Sequence, residues 1–279
     1  MSSTQAEFWN TAGGESWVRG QRELDLQLEL FGALALDRAA VQPGEAVLDV
    51  GCGCGTTTAE LAARVGPSGR VVGADISAPM LERARATVTA PHVEFLLGDA
   101  GSMPLPTGAF DVLFSRFGVM FFDDPVAAFT HLRAALRASG RIACVVWQPI
   151  TANPWATVPF AAVADLVEPI SLGDADTPGP FSFGDSDRLR DVLARAGFAN
   201  VELEGCEPDV VLGGGLSFDD SVDFAVDHGP LRRVLESASE EVRAEARVRV
   251  RAALEPFATD AGVVLRSGVW VVTARASSA

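Results

Sequence analysis

Short runs of apolar residues alternate with amphipathic stretches between residues 46 and 147. The apolar runs predict buried strands over 46–50, 70–75, 93–99, 110–116 and 141–147. Between them, apolar positions recur every three or four residues, which predicts helices over 56–65, 78–88 and 125–137. Strands that are apolar at nearly every position are typical of a parallel sheet with helices on both faces. We therefore predict an α/β core whose ligands lie at the carboxyl ends of the strands.

The chain on either side of this core has a different pattern. The spacing of Leu24, Leu28 and Phe31 predicts a helix that ends before Pro43. Later segments predict a helix over 188–198, a strand over 200–212, helices within 219–257 and a last strand over 262–275. The expected organisation is a helical lid (1–40), a core (41–148), a cap insertion (149–186), the core continued (187–212), a second cap insertion (213–260), and a last core strand with a tail (261–279). The cap is expected to be mainly helical.

The composition is that of a folded, acidic protein. Of 279 residues, 48% are hydrophobic and 21% are charged, and the formal net charge is −15. A field of this sign repels nucleic acid and anionic membrane surfaces, so we expect neither as a partner. No apolar run approaches the roughly 20 residues that span a bilayer, the first residues lack a secretory signal, and the cysteines do not indicate a disulfide framework. We expect a cytoplasmic protein and leave its oligomeric state open.

Two residue types are missing from the chain, and their absence excludes several classes of enzyme. The basic residues are all arginine, and there is no tyrosine. Pyridoxal-phosphate enzymes need a Schiff-base lysine, and P-loop NTPases need a phosphate-binding lysine. Short-chain dehydrogenases use a tyrosine and a lysine together, so this class is excluded as well.

The glycine-rich segment VLDVGCGCGTTTAEL, residues 47–61, is the first candidate for a ligand site. It follows a predicted strand and opens a predicted helix, so its backbone can approach a ligand closely. The order Gly51-x-Gly53-x-Gly55 departs from the G-x-G-x-x-G dinucleotide fingerprint, because Thr56 stands where the last glycine belongs. A tight turn between strand and helix would also explain the glycines. The C-x-C pair in this loop has no further ligands at metal-binding spacing, so we predict no metal site.

Polar residues end the neighbouring predicted strands. Asp75 lies 24 residues after Gly51, where a carboxylate can accept both hydroxyls of a ribose. Asp99 ends the next strand, where its carboxylate can accept an adenine amine while the Ala100 N–H contacts a ring nitrogen. The segment FDVLFSRFGVMFF contains the fourth predicted strand, whose end is expected to point at the same crevice. These residues are expected to meet at one edge of the sheet.

Together these segments resemble the class I S-adenosylmethionine (SAM)-dependent methyltransferases. VLDVGCGCG resembles their first motif, GADIS the acidic ribose loop, GDA the adenine loop, and FDVLFSRFGVMFF the strand that lines the active site. The resemblance covers residues 40–147 and is greatest to the small-molecule branch that contains the ubiquinone and menaquinone C-methyltransferases. It implies a Rossmann-like, mostly parallel seven-stranded sheet, a SAM-binding core over 41–148, and SAM as the cofactor.

The resemblance also implies roles for individual residues. Gly51 and Gly53 would lie under the methionine moiety, Asp49 would hold the loop, Asp75 would bind the ribose, and Ser115 would face the methionine end. The full set of implied cofactor-binding residues is Trp17, Asp49, Gly51, Cys52, Gly53, Asp75, Ile76, Met80, Gly98, Asp99, Ala100 and Ser115.

The residues that carry out catalysis are less marked in the sequence. Methyl transfer needs the acceptor and the methyl group held in line and water excluded, so a catalytic base is optional. His228, the histidine of the predicted cap, could deprotonate a hydroxyl or an amine, or simply end a helix. Arg116 could pair with an acidic substrate group or anchor the cap. Phenylalanines around the predicted crevice favour a small, largely apolar acceptor that is methylated at carbon or oxygen.

Three alternatives stay open at this point. A protein of this fold can bind SAM and catalyse another reaction, such as a cyclisation. An NAD-dependent oxidoreductase could use a similar loop, although Thr56 and the missing tyrosine and lysine argue against it. A nucleic-acid or protein methyltransferase is disfavoured by the net charge of −15 and by a cap that should enclose the substrate.

Overall fold

The computed structural model describes residues 3–167, 177–236 and 238–277, and the first half of the chain forms helices followed by the core. The amino-terminal helices are α1 (Ser3–Asn10), α2 (Ala12–Arg19) and α3 (Gln21–Ala39). The core follows as β1 (Ala46–Val50), α4 (Thr56–Val65), β2 (Arg70–Asp75), α5 (Ala78–Thr87), β3 (Val93–Leu97), β4 (Phe110–Arg116), α6 (Pro125–Ala135) and β5 (Leu136–Trp147).

The second half of the chain adds two strands to the main sheet, and most of the cap lies between these two strands in the sequence. Its elements are α7 (Pro154–Val163), α8 (Ser186–Arg195), β6 (Phe198–Cys206), β7 (Asp209–Val211), α9 (Phe218–Asp227), α10 (Gly229–Leu235), α11 (Glu240–Leu254), β8 (Ala258–Thr259), β9 (Gly262–Arg266) and β10 (Val269–Ala276). Four parts of the predicted organisation lie outside the described residues: 1–2 of the lid, 168–176 of the first cap insertion, 237 of the second cap insertion and 278–279 of the tail. No helix in the described ranges is long and apolar enough to cross a membrane.

The main sheet has seven strands in the order β3-β2-β1-β4-β5-β10-β6. Only β10 runs antiparallel to its neighbours, β5 and β6. Residues 71–75 of β2 are all buried, so both faces of the sheet are covered. The strand order reverses between β1 and β4, which places a crevice at the carboxyl ends of these strands. The predicted Rossmann-like fold class is confirmed.

Helix α3 packs on the sheet and belongs to the core. Leu28, Phe31 and Ala35 are buried in the main hydrophobic cluster, and α3 contacts β4, β5 and β10. The predicted lid over residues 1–40 therefore needs correction: its last helix is a structural layer of the core, and α1 and α2 are the candidates for a lid. The apolar stripe of α3 is long enough to cover the sheet, whereas α1 and α2 are eight residues each.

The cap has its own hydrophobic cluster, to which Val163, Val222, Leu231 and Val250 contribute from α7, α9, α10 and α11. A small sheet in the order β7-β9-β8 adds to these helices. The helices expected within 219–257 are present as α9, α10 and α11.

The predicted last strand over 262–275 is wrong, because this segment forms two strands in two sheets. Strand β9 lies in the small cap sheet and β10 lies in the main sheet. The chain leaves the small sheet and enters the main sheet at Ser267 and Gly268. The backbone amides of these two residues donate to the carbonyls of Pro208 and Ala152. The predicted strand over 200–212 is divided in the same way into β6 and β7. Apolar residues continue across both breaks, so the pattern could not show the change of sheet.

Candidate active site

A cavity of about 520 Å³ lies at the carboxyl ends of β1, β2 and β4 and is bordered by residues of α1, α2 and α3. Its size is within the range of about 300–1,000 Å³ that is typical of small-molecule sites. The structure places most of the predicted site residues on its wall, namely Trp17, Gly51, Cys52, Gly53, Asp75, Ile76, Met80, Gly98, Asp99, Ala100, Arg116 and His228. Asp49 and Ser115 are not part of this wall.

The glycine loop forms one side of the cavity by close backbone packing. Gly51 has a φ of +68°, and a Cβ added to it would lie 2.5 Å from the Cα of Gly118. A Cβ on Gly118 would in turn lie 2.5 Å from the carbonyl oxygen of Val50. A Cβ on Gly53 would lie 2.9 Å from the Cε of Met80. The loop therefore offers bare backbone to a ligand at a place where side chains would not fit.

Asp75 stands beside this loop with both carboxylate oxygens held by backbone amides. Oδ2 accepts from the N–H of Gly53 and Oδ1 accepts from the N–H of Ser77, each at 2.8 Å. Burial raises the pKa of Asp75, and these two hydrogen bonds oppose that shift. Because each carboxylate oxygen can accept more than one hydrogen bond, both remain able to accept hydroxyls of a ligand.

Asp49 lies behind the loop and joins β1 to α4. It is fully buried, and its Oδ2 accepts from the hydroxyls of Thr57 and Thr58 at 2.8 and 2.7 Å. Its Oδ1 is buried without a partner in the described structure. Burial raises the pKa of Asp49 to about 6, although the threonine hydroxyls act in the opposite direction. This position agrees with a residue that holds the loop.

Ser115 is not among the residues that line the cavity, and its expected place at the methionine end of the ligand stays a prediction. Its hydroxyl donates to the carbonyl of Val50 at 2.7 Å and accepts from the amide of Gly118 at 3.1 Å. Ser115 is 1% exposed. These bonds turn its side chain towards the backbone, where it holds β1 against the segment that follows β4.

Arg116, the next residue, forms an ion pair with Asp25 of α3, a residue that the sequence did not single out. Nη2 of Arg116 lies 2.6 Å from Oδ1 of Asp25. Asp25 also accepts from the hydroxyl of Thr56 at 2.6 Å and from the amide of Gln21 at 3.3 Å. Both Asp25 and Arg116 line the cavity. Nothing in the sequence indicated that Asp25 belongs to the site, because a single acidic residue in a helix of mixed polarity usually lies on the solvent-exposed face.

Aromatic side chains form another part of the wall. Phe117 stacks on Trp147 with ring centroids 4.2 Å apart, and Trp147 contacts Trp155 at 4.9 Å. The indole N–H of Trp155 donates to Oδ1 of Asn153 at 2.9 Å, which fixes the position of this ring. Phe181 lies 6.1 Å from Trp155. This side of the cavity is apolar and rigid.

Comparisons with known proteins agree with this geometry. A family model described as a methyltransferase domain matches residues 47–140. The nocamycin O-methyltransferase of Saccharothrix syringae is 35% identical over 189 residues, which cover 62% of this chain and 67% of that protein. A demethylmenaquinone methyltransferase of Staphylococcus saprophyticus is 30% identical over 172 residues, covering 58% and 74% of the two chains. The chain belongs to the class I SAM-dependent methyltransferases. The predicted family, enzyme class and cofactor are confirmed at this level.

The extent of the similarity differs from one known protein to the next. The chain spans 33% to 76% of the length of the curated relatives that it matches. The crystal structure of YcgJ from Bacillus subtilis superposes with a TM-score of 0.58 over 89% of this chain and 98% of that chain. At 15% identity this similarity shows the shared fold.

The residues of this methyltransferase fit SAM. Gly51 and Gly53 line the cavity without a side chain, and the packing of Gly118 and Met80 leaves no room for a Cβ at either position. Asp75 provides acceptors of the kind that ribose hydroxyls need, and Asp99 and Ala100 follow the neighbouring strand on the same wall. The donor and acceptor set therefore agrees with an adenosine-containing ligand.

The amino-terminal helix of the methyltransferase is tied to the loop that contains Asp75. The hydroxyl of Ser77 donates to the carbonyl of Trp9 at 2.6 Å, and the side-chain amide of Asn10 donates to the carbonyl of Ile76 at 2.9 Å. The Trp9 ring lies 6.1 Å from Trp17. The sequence did not single out Trp9, because its contact with Ser77 joins segments that are 68 residues apart in the chain.

His228 lies between α9 and α10 and reaches the cavity wall from the cap. Its ring stacks on Phe224 with centroids 4.5 Å apart, and its Nδ1 is buried without a partner among the described residues. A Cβ on Gly20 would lie 2.4 Å from Nε2, so this glycine leaves room for the ring. Burial lowers the pKa of His228, with smaller contributions in the same direction from Arg19 and Arg232. The imidazole is therefore mainly neutral at pH 7.

The cysteines of the glycine loop lie on the wall as free thiols. Burial raises the pKa of Cys54 to about 12, so its thiolate is disfavoured. Within the part of the chain that the structure describes, no three His, Cys, Asp or Glu side chains are grouped to hold a metal ion. That no metal is needed stays a prediction.

Proposed function

We propose that this protein transfers a methyl group from SAM to a small, largely apolar acceptor, at carbon or oxygen. The observation that carries the proposal is that the glycine loop, the Asp75 carboxylate and the aromatic wall border one cavity. Two relatives support the two kinds of methylation, because one is named as a nocamycin O-methyltransferase and another, from Hahella chejuensis, as a ubiquinone/menaquinone biosynthesis C-methyltransferase.

The half of the cavity next to β1, β2 and β3 is the proposed cofactor site. Bound SAM supplies a methyl group that its sulfonium already activates. Gly51 and Gly53 provide the close contact, and Asp75 accepts hydrogen bonds from the ribose. The remaining proposed contacts on this wall are Trp17, Cys52, Ile76, Met80, Gly98, Asp99 and Ala100. These residues hold and orient the cofactor.

The half of the cavity next to Trp147 and Trp155 is the proposed acceptor site. Its aromatic side chains exclude water and restrict the acceptor to one orientation, which is most of what an in-line displacement needs. Where the acceptor is a hydroxyl, the neutral imidazole of His228 is the proposed proton acceptor. A small-molecule acceptor also agrees with the net charge of −15.

Calorimetric titration with SAM, S-adenosylhomocysteine and NAD tests the cofactor half of the proposal. We expect micromolar binding of the first two and none of NAD, and binding of NAD alone would overturn the proposal. The protein is then incubated with methyl-labelled SAM and a panel of quinones, phenols and enols. Labelled product with an equal amount of S-adenosylhomocysteine supports methyl transfer. A changed acceptor without S-adenosylhomocysteine would instead indicate a reaction such as cyclisation.

A further inference from the structure

Arg116 presents unused hydrogen-bond donors to the cavity. A guanidinium group has five N–H donors, and within the described ranges its one hydrogen-bond partner is Asp25, reached through Nη2. The Arg116 side chain is 12% exposed, so bulk water has little access to the others. Because Arg116 lines the cavity, these donors are open to a molecule that binds there. No nitrogen of Arg116 is among the fully buried side-chain atoms without a hydrogen-bond partner in the described structure, so its remaining donors are accessible from the cavity.

The surroundings fix Arg116 without occupying those donors. Its Cδ packs beside Gly32 of α3, where an added Cβ would lie 3.3 Å away. Asp25 keeps the Thr56 hydroxyl and the Gln21 amide as further donors, so it engages only part of the guanidinium. Asp25 is therefore a positioning residue, and Arg116 can bridge Asp25 and a second anion.

The charge of the cavity defines the ligand chemistry. Three carboxylates lie on the wall, those of Asp25, Asp75 and Asp99, in a protein of net charge −15. An anion can enter such a site only beside a cation. The second arginine of the wall, Arg232, donates Nη1 to the carbonyl of Ala12. A planar guanidinium with adjacent free N–H groups matches a carboxylate better than any other common anion of small apolar molecules.

We propose that Arg116 is a carboxylate-binding site inside the cavity of this methyltransferase. The carboxylate belongs either to the methyl acceptor or to the methionine part of SAM, and the chemistry of recognition is the same. This inference rests on the proposed function for the identity of these two ligands.

The experiment compares carboxylate ligands with matched ligands that lack the carboxylate. S-Adenosylhomocysteine and its decarboxylated analogue are titrated by calorimetry. Benzoate and benzamide are titrated by NMR, against both the free protein and the protein saturated with S-adenosylhomocysteine. The variants are Arg116→Gln, Arg116→Lys and the double variant Asp25→Asn/Arg116→Gln, which removes both charges of the pair and protects the fold. Arg38→Gln is the control, because Arg38 pairs with Glu204 on the surface.

We expect Arg116→Gln to lower the affinity for one carboxylate ligand at least tenfold, with partial recovery in Arg116→Lys and no change for the ligand without the carboxylate. A loss of affinity for S-adenosylhomocysteine alone would identify the ligand of Arg116 as the carboxylate of the cofactor. A loss of affinity for benzoate alone would identify it as a carboxylate of the acceptor. If folded variants bind every ligand as the wild type does, or if the wild type binds no carboxylate ligand, the proposal is overturned.

The same titrations separate this inference from the proposed function. Failure of the wild type to bind either adenosine ligand would overturn the proposed function. The benzoate titration of the free protein would still test whether Arg116 binds a carboxylate. Equal binding of both adenosine ligands and of both benzene ligands, with and without Arg116, would leave the proposed function intact and remove the carboxylate site.

Discussion

The backbone amide of Gly53 donates a hydrogen bond to the carboxylate of Asp75, with N and Oδ2 2.8 Å apart. This bond connects the loop after β1 to the end of β2. A second bond, from Ser77 to Oδ1, fixes the other oxygen of the carboxylate. The two parts of the proposed cofactor site are thus held in one geometry, so binding does not have to order them.

Replacing this carboxylate should weaken cofactor binding. Asp75→Ala is expected to reduce the affinity for S-adenosylhomocysteine by about 1–3 kcal/mol, because ribose hydroxyls lose a charged acceptor and the Gly53 amide loses its partner. Calorimetry measures the affinity. Asp191→Ala, which removes an exposed carboxylate paired with Arg195, should leave it unchanged. Wild-type affinity in a folded Asp75→Ala protein would contradict the assignment.

The contact between Gly51 and Gly118 should make the loop intolerant of a methyl group. Gly51 and Gly108 have similar φ angles, +68° and +62°, but a Cβ at Gly108 meets nothing within 4 Å. Both alanine variants should lose about 1–2 kcal/mol from the backbone conformation, and Gly51→Ala should lose about 1–3 kcal/mol more from the clash. Urea unfolding measures both losses. Equal losses in the two variants would show that the contact is not tight.

The buried carboxyl of Asp49 should make stability depend on pH. Its pKa of about 6 in the folded protein is above the value of about 3.9 for an unfolded chain. The folded state therefore binds the proton more tightly, and the contribution of Asp49 to stability is full below pH 4 and is lost as the pH rises through 6. Asp49→Asn cannot ionise. Its free energy of unfolding relative to the wild type should rise by up to about 3 kcal/mol between pH 4 and pH 8.

Urea unfolding of both proteins at several pH values checks this difference, because groups that titrate in both proteins cancel. Asp191→Asn, an exposed control, should show no such trend. A difference between Asp49→Asn and the wild type that is constant with pH would mean that Asp49 is ionised throughout.

Asn153 should support both the fold and the aromatic wall. It is fully buried, and its Oδ1 accepts from the indole of Trp155 and from the amide of Gly268. Asn153→Ala leaves these donors without a partner and should cost about 2–4 kcal/mol. Thermal unfolding measures the loss, and a red shift of tryptophan emission reports the release of Trp155. Thr151→Ala, an exposed neighbour, should stay within about 0.5 kcal/mol of the wild type; a similar result for Asn153→Ala would exclude the supporting role.

His228 should titrate below the usual histidine pKa of about 6.5, because its ring is buried in the cap. NMR of the imidazole C–H signals over pH 4–9 measures this value directly. The chain has three histidines, and loss of one signal in His228→Gln assigns it. Titration at 6.5 or above would place the ring in water and remove the argument for a neutral base at pH 7.

The sequence was sufficient to predict the elements that position the cofactor site. The predicted bounds of 46–50, 56–65, 70–75 and 110–116 agree with β1, α4, β2 and β4. These strands are buried on both faces, so apolar residues occupy consecutive positions and glycine, proline or acidic residues mark the ends. In these segments the local sequence pattern and the tertiary position favour the same secondary structure.

The rest depends on contacts between distant segments, which periodicity does not encode. Ser115 is polar and ends a strand at the crevice, but its orientation follows from the hydrogen bonds with Val50 and Gly118. Asp25 becomes part of the site only because α3 packs beside β4 and brings it to Arg116. The change of sheet at Ser267 likewise follows from pairing with the cap.

The position of β10 affects how the protein is made. Residues 269–276 occupy a place inside the sheet, between β5 and β6, and pair with both. On the ribosome, β6 emerges more than sixty residues before the strand that joins it to β5. The sheet therefore cannot close during translation of the cap, and the edges of β5 and β6 stay unpaired until residue 276 has left the exit tunnel. Chaperones that bind exposed strand edges would find their target in this interval.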